Sequence, residues 1–246
     1  MNYVVGDVHG YYDCLTKLLN KLKNIENVYF VGDIIDRGPD SKKIIDLIKN
    51  NKNYYIVLGN HEDLMINIGS TFLQNYKKMI KNQNEYKKWY QKVGNNWIRN
   101  GGDKTLESYN LYNSNINKIL INNGKIKEFQ EDIEWMKKLP LYIELKNKEI
   151  NNKNIIISHS SCLNIWNNKK DISEREFKDY ILWNREEIIE NPEIFNIFGH
   201  TPIYFGPKLE NHYINIDSGV YKKIFGFNRI TAFCIETKEC FFQDNI

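Results

Sequence analysis

Tyr3-Val4-Val5-Gly6-Asp7-Val8-His9-Gly10 is a short apolar run that ends in a glycine, a carboxylate and an imidazole. The construction returns at Val28-Tyr29-Phe30-Val31-Gly32-Asp33-Ile34-Ile35-Asp36-Arg37-Gly38, and again at Tyr54-Tyr55-Ile56-Val57-Leu58-Gly59-Asn60-His61-Glu62. Later, Ile155-Ile156-Ile157 reaches Ser158-His159, Ile197-Phe198 reaches Gly199-His200-Thr201, and Tyr213-Ile214-Asn215-Ile216 reaches Asp217-Ser218-Gly219. One such junction is an ordinary strand end with a turn residue. Six in series predict a sheet whose strand ends converge on a metal site.

The segments between these runs decide how the strands pair. Tyr12 to Lys23 carries Leu15, Leu18, Leu19 and Leu22 on one helical stripe. Ser41 to Asn50, entered through Pro39-Asp40, does the same with Ile44, Ile45, Leu47 and Ile48. Strands joined by helical crossovers pair in parallel. Runs apolar at nearly every position suit strands covered on both faces. Residues 63–139 read as a mainly helical insertion, with stripes Phe72, Tyr76, Met79, Ile80 and Tyr86, Trp89, Tyr90, Val93. A further helix over Ile126 to Lys138 stops before Pro140, and strands dominate from residue 154. Ile230 to Glu236 and Cys240 to Gln243 predict a hairpin across Thr237-Lys238-Glu239. No linker composition divides the chain, so one domain over 1–246 is expected.

Composition narrows the function classes. Hydrophobic content of 41% and charged content of 26% are those of a globular protein. A formal charge of +3, with lysines scattered rather than gathered, gives no strong nucleic-acid signal. No apolar stretch is long enough to span a bilayer. Cys14, Cys162, Cys234 and Cys240 form no CxxC pair and read as thiols in a reducing compartment. Without a visible signal peptide, a cytoplasmic location is expected.

In an open α/β sheet, ligands bind beyond the carboxyl ends of the strands, where Asp7, His9, Asp33, Asn60, His159 and His200 all fall. Carboxylate, imidazole and amide oxygen together suit Mn, Fe or Zn. One aspartate has two oxygens and so can bridge two ions.

These motifs, GDVHG, GDIIDRG and GNHE followed by a separate His and then GHT, resemble the phosphoprotein phosphatase family of binuclear metallophosphatases, within the calcineurin-like metallophosphoesterase superfamily. The bacterial and phage branch typified by lambda phosphatase is the most similar. Asp36-Arg37-Gly38, Trp97-Ile98-Arg99-Asn100-Gly101-Gly102, Leu139-Pro140-Leu141, Trp183-Asn184-Arg185 and Ile216-Asp217-Ser218-Gly219 extend the likeness over nearly the whole chain. Gly199-His200-Thr201-Pro202 lacks the second His of the broader superfamily.

The resemblance implies a β-sandwich of two mixed sheets flanked by helices, an α/β fold in α/β/β/α layers. It implies two divalent metal ions, Mn first, with Fe, Zn, Ni or Co as alternatives. Asp7, His9 and Asp33 would hold one ion; Asp33, Asn60, His159 and His200 would hold the other. His61 would be the general acid, oriented by Asp36, and Arg37, Arg185 and Asn60 would bind the substrate phosphate, with Arg175 and Arg99 weaker candidates. The implied reaction is hydrolysis of phosphate monoesters by attack of a metal-bridging hydroxide, with phosphoserine or phosphothreonine in proteins as leading substrate. The alternatives are a symmetrical hydrolase of dinucleoside tetraphosphates, such as diadenosine tetraphosphate, and a non-catalytic phosphate-binding module. The partner is therefore a phosphoprotein or a small phosphate ester; oligomeric state is not legible.

Around these motifs, plainer readings apply. Asp217 is expected to serve a turn by accepting from backbone amides. Glu62 either supports the site or faces outward at a helix start. The aromatics of 86–97 are expected in the core of the insertion, Gly101-Gly102 in a tight turn, and His212 on the surface. Ser160 and Ser161 stand where the family has Gly or Ala, and their hydroxyls are candidates for an extra substrate contact.

Overall fold

The alternation of apolar runs and amphipathic stripes produces β1 (Asn2–Val5), α1 (Tyr12–Leu19), β2 (Asn27–Phe30), α2 (Ser41–Lys49) and β3 (Tyr54–Ile56). Next come α3 (Asn60–Leu64), α4 (Ser70–Lys81), α5 (Gln83–Trp89), α6 (Asn95–Trp97) and α7 (Asp103–Ser108), linked by π-helical turns at Met65–Gly69, Tyr90–Gly94 and Ile98–Gly102. A short ribbon, β4 (Tyr112–Asn113) and β5 (Lys118–Ile119), precedes α8 (Asn123–Met136). The remainder is β6 (Tyr142–Ile150), β7 (Lys153–Ser158), α9 (Glu174–Trp183), β8 (Ile194–Phe198), β9 (Lys208–Leu209), β10 (Tyr213–Asn215), β11 (Arg229–Cys234) and β12 (Cys240–Asp244). This computed structural model describes every residue except Glu190 and the side chain of Asn147.

Two five-stranded sheets result, ordered β12-β11-β1-β2-β3 and β6-β7-β8-β10-β9. β1, β2 and β3 are parallel, as are β7, β8 and β10, and the outer strands run antiparallel. Both sheets are mixed, and both send the carboxyl ends of their parallel strands to one edge.

Strand alternation sorts the side chains into layers. Val4, Tyr29 and Phe233 from one sheet meet Ile155, Ile157, Phe195, Ile197 and Ile214 from the other. The opposite face of the first sheet, Tyr3, Val5, Val28 and Phe30, packs on Leu15 and Leu18 of α1 and Ile44 and Ile45 of α2. The opposite face of the second, including Ile156 and Ile194, packs on Phe177 and Ile181 of α9. The architecture is therefore a sandwich with helices outside both sheets. Truncating Ile157, which is fully buried between the sheets, to Ala removes about 2–5 kcal/mol.

One local expectation needs correction, and two elements lie outside the sequence reading. α1 ends at Leu19 rather than Lys23; Lys21 and Leu22 donate to Leu18 and Leu19 in tight turns that still bury Leu22. The insertion contains the β4–β5 ribbon, whose two-residue strands are too short for a periodicity to register. Helix α9 interrupts the strand-rich second half; its signal was Ser173, whose hydroxyl accepts from the Glu176 N–H at 3.1 Å. Among the described residues no helix is long and apolar enough to cross a membrane.

Candidate metal and phosphate site

The six junctions meet at the shared sheet edge, and Asp33 lies at their centre. Its Oδ2 is 3.8 Å from Nε2 of His9 and 3.8 Å from Nε2 of His61, while its Oδ1 is 3.4 Å from Nε2 of His159. His9, Asp33 and His61 bring their donor atoms within 4.8 Å of one another, and so do Asp33, His159 and His200. Asp33 is the common member. Asp7 Oδ2 lies 3.9 Å from His9 Nε2 and extends the first group. Asn60 Oδ1 completes the second, 2.7 Å from His159 Nε2 and 3.0 Å from His200 Nδ1.

The local chain geometry is as specialised as the residues. His9, Asp33, Asp36, Arg37 and His200 have φ of 47°, 49°, 69°, 68° and 71°. Left-handed backbone at non-glycine residues costs of order 1–3 kcal/mol each and collects at functional sites. Close approach adds a second demand: a Cβ on Gly199 would sit 2.2 Å from Asp7 Oδ1. Gly101, at φ 102°, accepts the Arg37 N–H at 3.2 Å, and a Cβ there would lie 2.4 Å from Arg37 N. The expected turn is therefore the wall behind Arg37.

The donor set fits cations. His9 Nδ1 is 3.0 Å from the Ile35 carbonyl and His159 Nδ1 is 2.8 Å from that of Val31. Each Nδ1–H is thereby committed to backbone, which leaves the Nε2 lone pair facing Asp33. Burial pushes His9 and His159 down, and burial with His159 pushes His200 down to about 3, which favours the neutral, ligating form of all three rings. Burial and the charges of Asp217 and Asp33 push Asp7 well up, whereas the surrounding imidazoles hold Asp33 low against its own burial. Positive charge between them would keep Asp7, Asp33 and Asp217 ionised together in this buried space.

His61 is the exception. Burial pushes it down, but the charges of Asp33 and Asp36 more than offset this and raise it. Its Nδ1 is 2.7 Å from Asp36 Oδ2 and its Nε2 is 3.1 Å from Nη2 of Arg37. Of the four imidazoles in the pocket, three are pushed down and His61 alone is raised.

Several supports were not legible as such. Trp97, expected as plain core, donates its indole N–H to Asp36 Oδ2 at 3.0 Å, and Thr105 donates to Asp36 Oδ1 at 2.5 Å. Glu62 is fully buried and accepts from the N–H groups of Asp33, Ile34 and Gly59 at 2.8, 3.0 and 3.0 Å, the supporting option of the two. Burial and Asp33 push its carboxyl up to about 8, against those three donors. The Arg37 guanidinium carbon lies 3.8 Å from the centre of the Tyr221 ring, which also sits edge-on to His9 at 5.0 Å. Nothing in the sequence marked Tyr221 beyond its place after Gly219.

Arg185 reaches the second group, with Nε 3.2 Å from His200 Nε2, and lines a cavity of about 330 Å³ with Ser161, Asn184, Thr201, Lys208 and Tyr213. Arg175 is 92% exposed on α9, 3.7 Å from Asp179, and Arg99 is also exposed. The Ser160 hydroxyl points away from the site and donates to the Ile181 carbonyl at 2.9 Å. Asp217 Oδ1 accepts the Gly219 N–H at 2.9 Å as a turn residue would, but its buried Oδ2 has no hydrogen-bond partner among the described residues. His212 is half-buried against Tyr213.

Two clusters of hard and borderline donors sharing one carboxylate, flanked by guanidinium groups and a raised histidine, define a metal-dependent phosphoesterase with a binuclear centre. The calcineurin-like phosphoesterase family model matches residues 3–229. The chain belongs to that family. It is 31% identical to the asymmetrical bis(5'-nucleosyl)-tetraphosphatase PrpE of Oceanobacillus iheyensis, over 96% of this chain and 89% of that protein. It is 31% identical to a symmetrical bis(5'-nucleosyl)-tetraphosphatase of Wigglesworthia glossinidia brevipalpis, over 80% of this chain and 60% of that protein. The fold matches that of a Saccharomyces cerevisiae serine/threonine phosphatase at a TM-score of 0.59 and 14% identity, covering 100% of this chain and 80% of that one. A crystal structure of a candidate diadenosine tetraphosphatase matches at 0.57 and 19%, covering 98% and 91%.

Proposed function

We propose that the chain hydrolyses bis(5'-nucleosyl) tetraphosphates. The observation that carries this substrate is the end-to-end similarity, over 96% of the chain, to a protein named for that activity. In this reading Asp7, His9 and Asp33 hold one divalent ion, and Asp33, Asn60, His159 and His200 hold a second, with Mn the first metal to try. When bound, the ions activate water and neutralise charge on the phosphoryl oxygens.

The chain's own groups do the rest. Arg37 and Arg185 approach from opposite clusters and grip the phosphoryl oxygens through forked N–H donors. Asn60 adds its amide N–H. His61 would deliver a proton from Nε2 to the departing oxygen once the Arg37 Nη2, which lies 3.1 Å from that nitrogen, turns onto the phosphate, and Asp36 stabilises the charged form through Nδ1. A nucleotide leaving through a phosphate oxygen needs that proton less than a serine alkoxide does. The same machinery can therefore serve both substrate classes, and the leaving group separates them.

The test is a direct comparison of diadenosine tetraphosphate, a phosphoserine peptide and p-nitrophenyl phosphate, with the purified protein and Mn. A kcat/KM for the dinucleotide several orders of magnitude above that for the peptide is expected. The reverse preference would establish the phosphoprotein reading instead. Chromatography of the products, ATP with AMP or ADP alone, assigns asymmetrical or symmetrical cleavage.

A further inference from the structure

The two loops that leave the site after His200 and after Asp217 carry no Asp or Glu over residues 201–207 and 219–228. They carry instead an unusual density of exposed rings. Tyr204 is 54% exposed, Phe205 57% and Phe225 82%. Exposed aromatic surface gathered in one place marks a binding site rather than a chance of composition. The loops are tied together, the Phe205 N–H donating to the Gly226 carbonyl at 2.9 Å, so the patch is built and not merely loose.

The rings, with Lys222 bridging one gap, form a run out of the metal centre. Tyr221 lies under Arg37 at 3.8 Å. The Lys222 ammonium stands 6.0 Å from the centre of the Tyr221 ring and 4.6 Å from that of Phe227. Phe227 meets Tyr204 at 5.3 Å, Tyr204 meets Phe205 at 4.3 Å, and Phe205 meets Phe225 at 5.3 Å. Beyond Lys222, Phe205, Phe225 and Phe227 border a cavity of about 570 Å³, whose one carboxylate among the lining residues, Asp244, is paired with Arg229 at 3.0 Å. A cation interleaved with aromatic faces, continuous with a phosphate-binding arginine, is complementary to a chain of phosphates that ends in a flat base.

We propose that this run binds the far nucleoside of the substrate, with Lys222 meeting the outlying phosphates and Phe205 and Phe225 stacking on the base. The inference rests on the dinucleotide reading above. A second copy of the chain is the weaker occupant, because it would bring the same basic residues against themselves.

Phe225→Ala is a surface change at an 82% exposed residue, and a stacked base is expected to show as a roughly 5- to 100-fold rise in KM for diadenosine tetraphosphate. The KM for p-nitrophenyl phosphate, which has no second nucleoside, should move far less, and Phe225→Trp should restore dinucleotide affinity. An unchanged dinucleotide KM in Phe225→Ala and in Phe205→Ala would overturn the subsite while leaving the proposed reaction intact. Loss of a wild-type dimer in gel filtration, with dinucleotide KM unaltered, would overturn it in favour of self-association. If the wild-type protein itself ignores the dinucleotide, the underlying reading falls, an outcome distinct from the other two.

Discussion

Nδ1 of His61 and Oδ2 of Asp36 lie 2.7 Å apart, and both oxygens of Asp36 are further engaged by Trp97 and Thr105. A fully buried carboxylate held from three sides cannot rotate away from its histidine. That rigidity carries a testable consequence at Trp97. In Trp97→Phe an aromatic face is kept, but the indole donor and one of the two fused rings are lost. A hydrogen bond to a charged group contributes about 1.5–3 kcal/mol. The variant is expected to melt at lower temperature and to lose roughly tenfold in kcat, with metal content retained. Thermal unfolding alongside steady-state kinetics checks both; full activity would remove Trp97 from the support of Asp36.

His61 is raised above an ordinary histidine because the charges of Asp33 and Asp36 outweigh its burial. A raised value keeps the acid form present to higher pH. Turnover that depends on its proton should therefore hold at lower pH and fall as pH rises through the His61 value. Asp36→Asn removes one of the charges that raises it, so the fall should move to lower pH. The measurement is kcat against pH with an alkyl phosphate. An unmoved profile would detach Asp36 from the proton donor.

His61→Asn should retain metal and lose turnover in proportion to the basicity of the leaving oxygen. General acid catalysis contributes about 10^2–10^4-fold. The loss is expected near the upper figure for phosphoserine peptide and near or below the lower one for diadenosine tetraphosphate. Equal losses on both would sink the general-acid role.

Arg37 and Arg185 differ in their supports, and conservative variants should reveal it. Arg37 is braced by the Gly101 carbonyl and the Tyr221 ring, whereas Arg185 is exposed and its Nε lies 3.2 Å from His200 Nε2. Arg37→Lys is expected to lower kcat/KM roughly 10- to 100-fold, because a lysine cannot reproduce the fork or the stacking. Arg185→Lys should act mainly through KM. Steady-state constants on the dinucleotide separate the two, and an effect of Arg37→Lys confined to KM would contradict the difference.

What could be read in advance followed from periodicity and local chemistry. The strand ends at Asp7, Asp33, Asn60, His159, His200 and Asp217 all reach one edge, because short buried strands advertise themselves as apolar runs and parallel pairing aligns their ends. Asp33 as the shared member also follows from its motif. What was not legible lies in contacts between distant segments. Trp97 looks like any aromatic on a helical stripe until the fold brings Asp36 beneath its indole nitrogen. Tyr221 has no motif of its own, and Ser160 turns toward α9, a helix absent from the sequence reading. Glu62 stood between two roles that only burial distinguishes.

The most direct measurement concerns Asp33, whose two oxygens face the two clusters. The wild-type protein and Asp33→Asn are each saturated with Mn, desalted, and counted for metal by mass spectrometry, with circular dichroism confirming that both are folded. About two equivalents are expected for the wild-type protein, and a folded variant that retains fewer than one is expected for Asp33→Asn. Two full equivalents in Asp33→Asn, or a single equivalent in the wild-type protein at saturation, would contradict a binuclear centre bridged by Asp33.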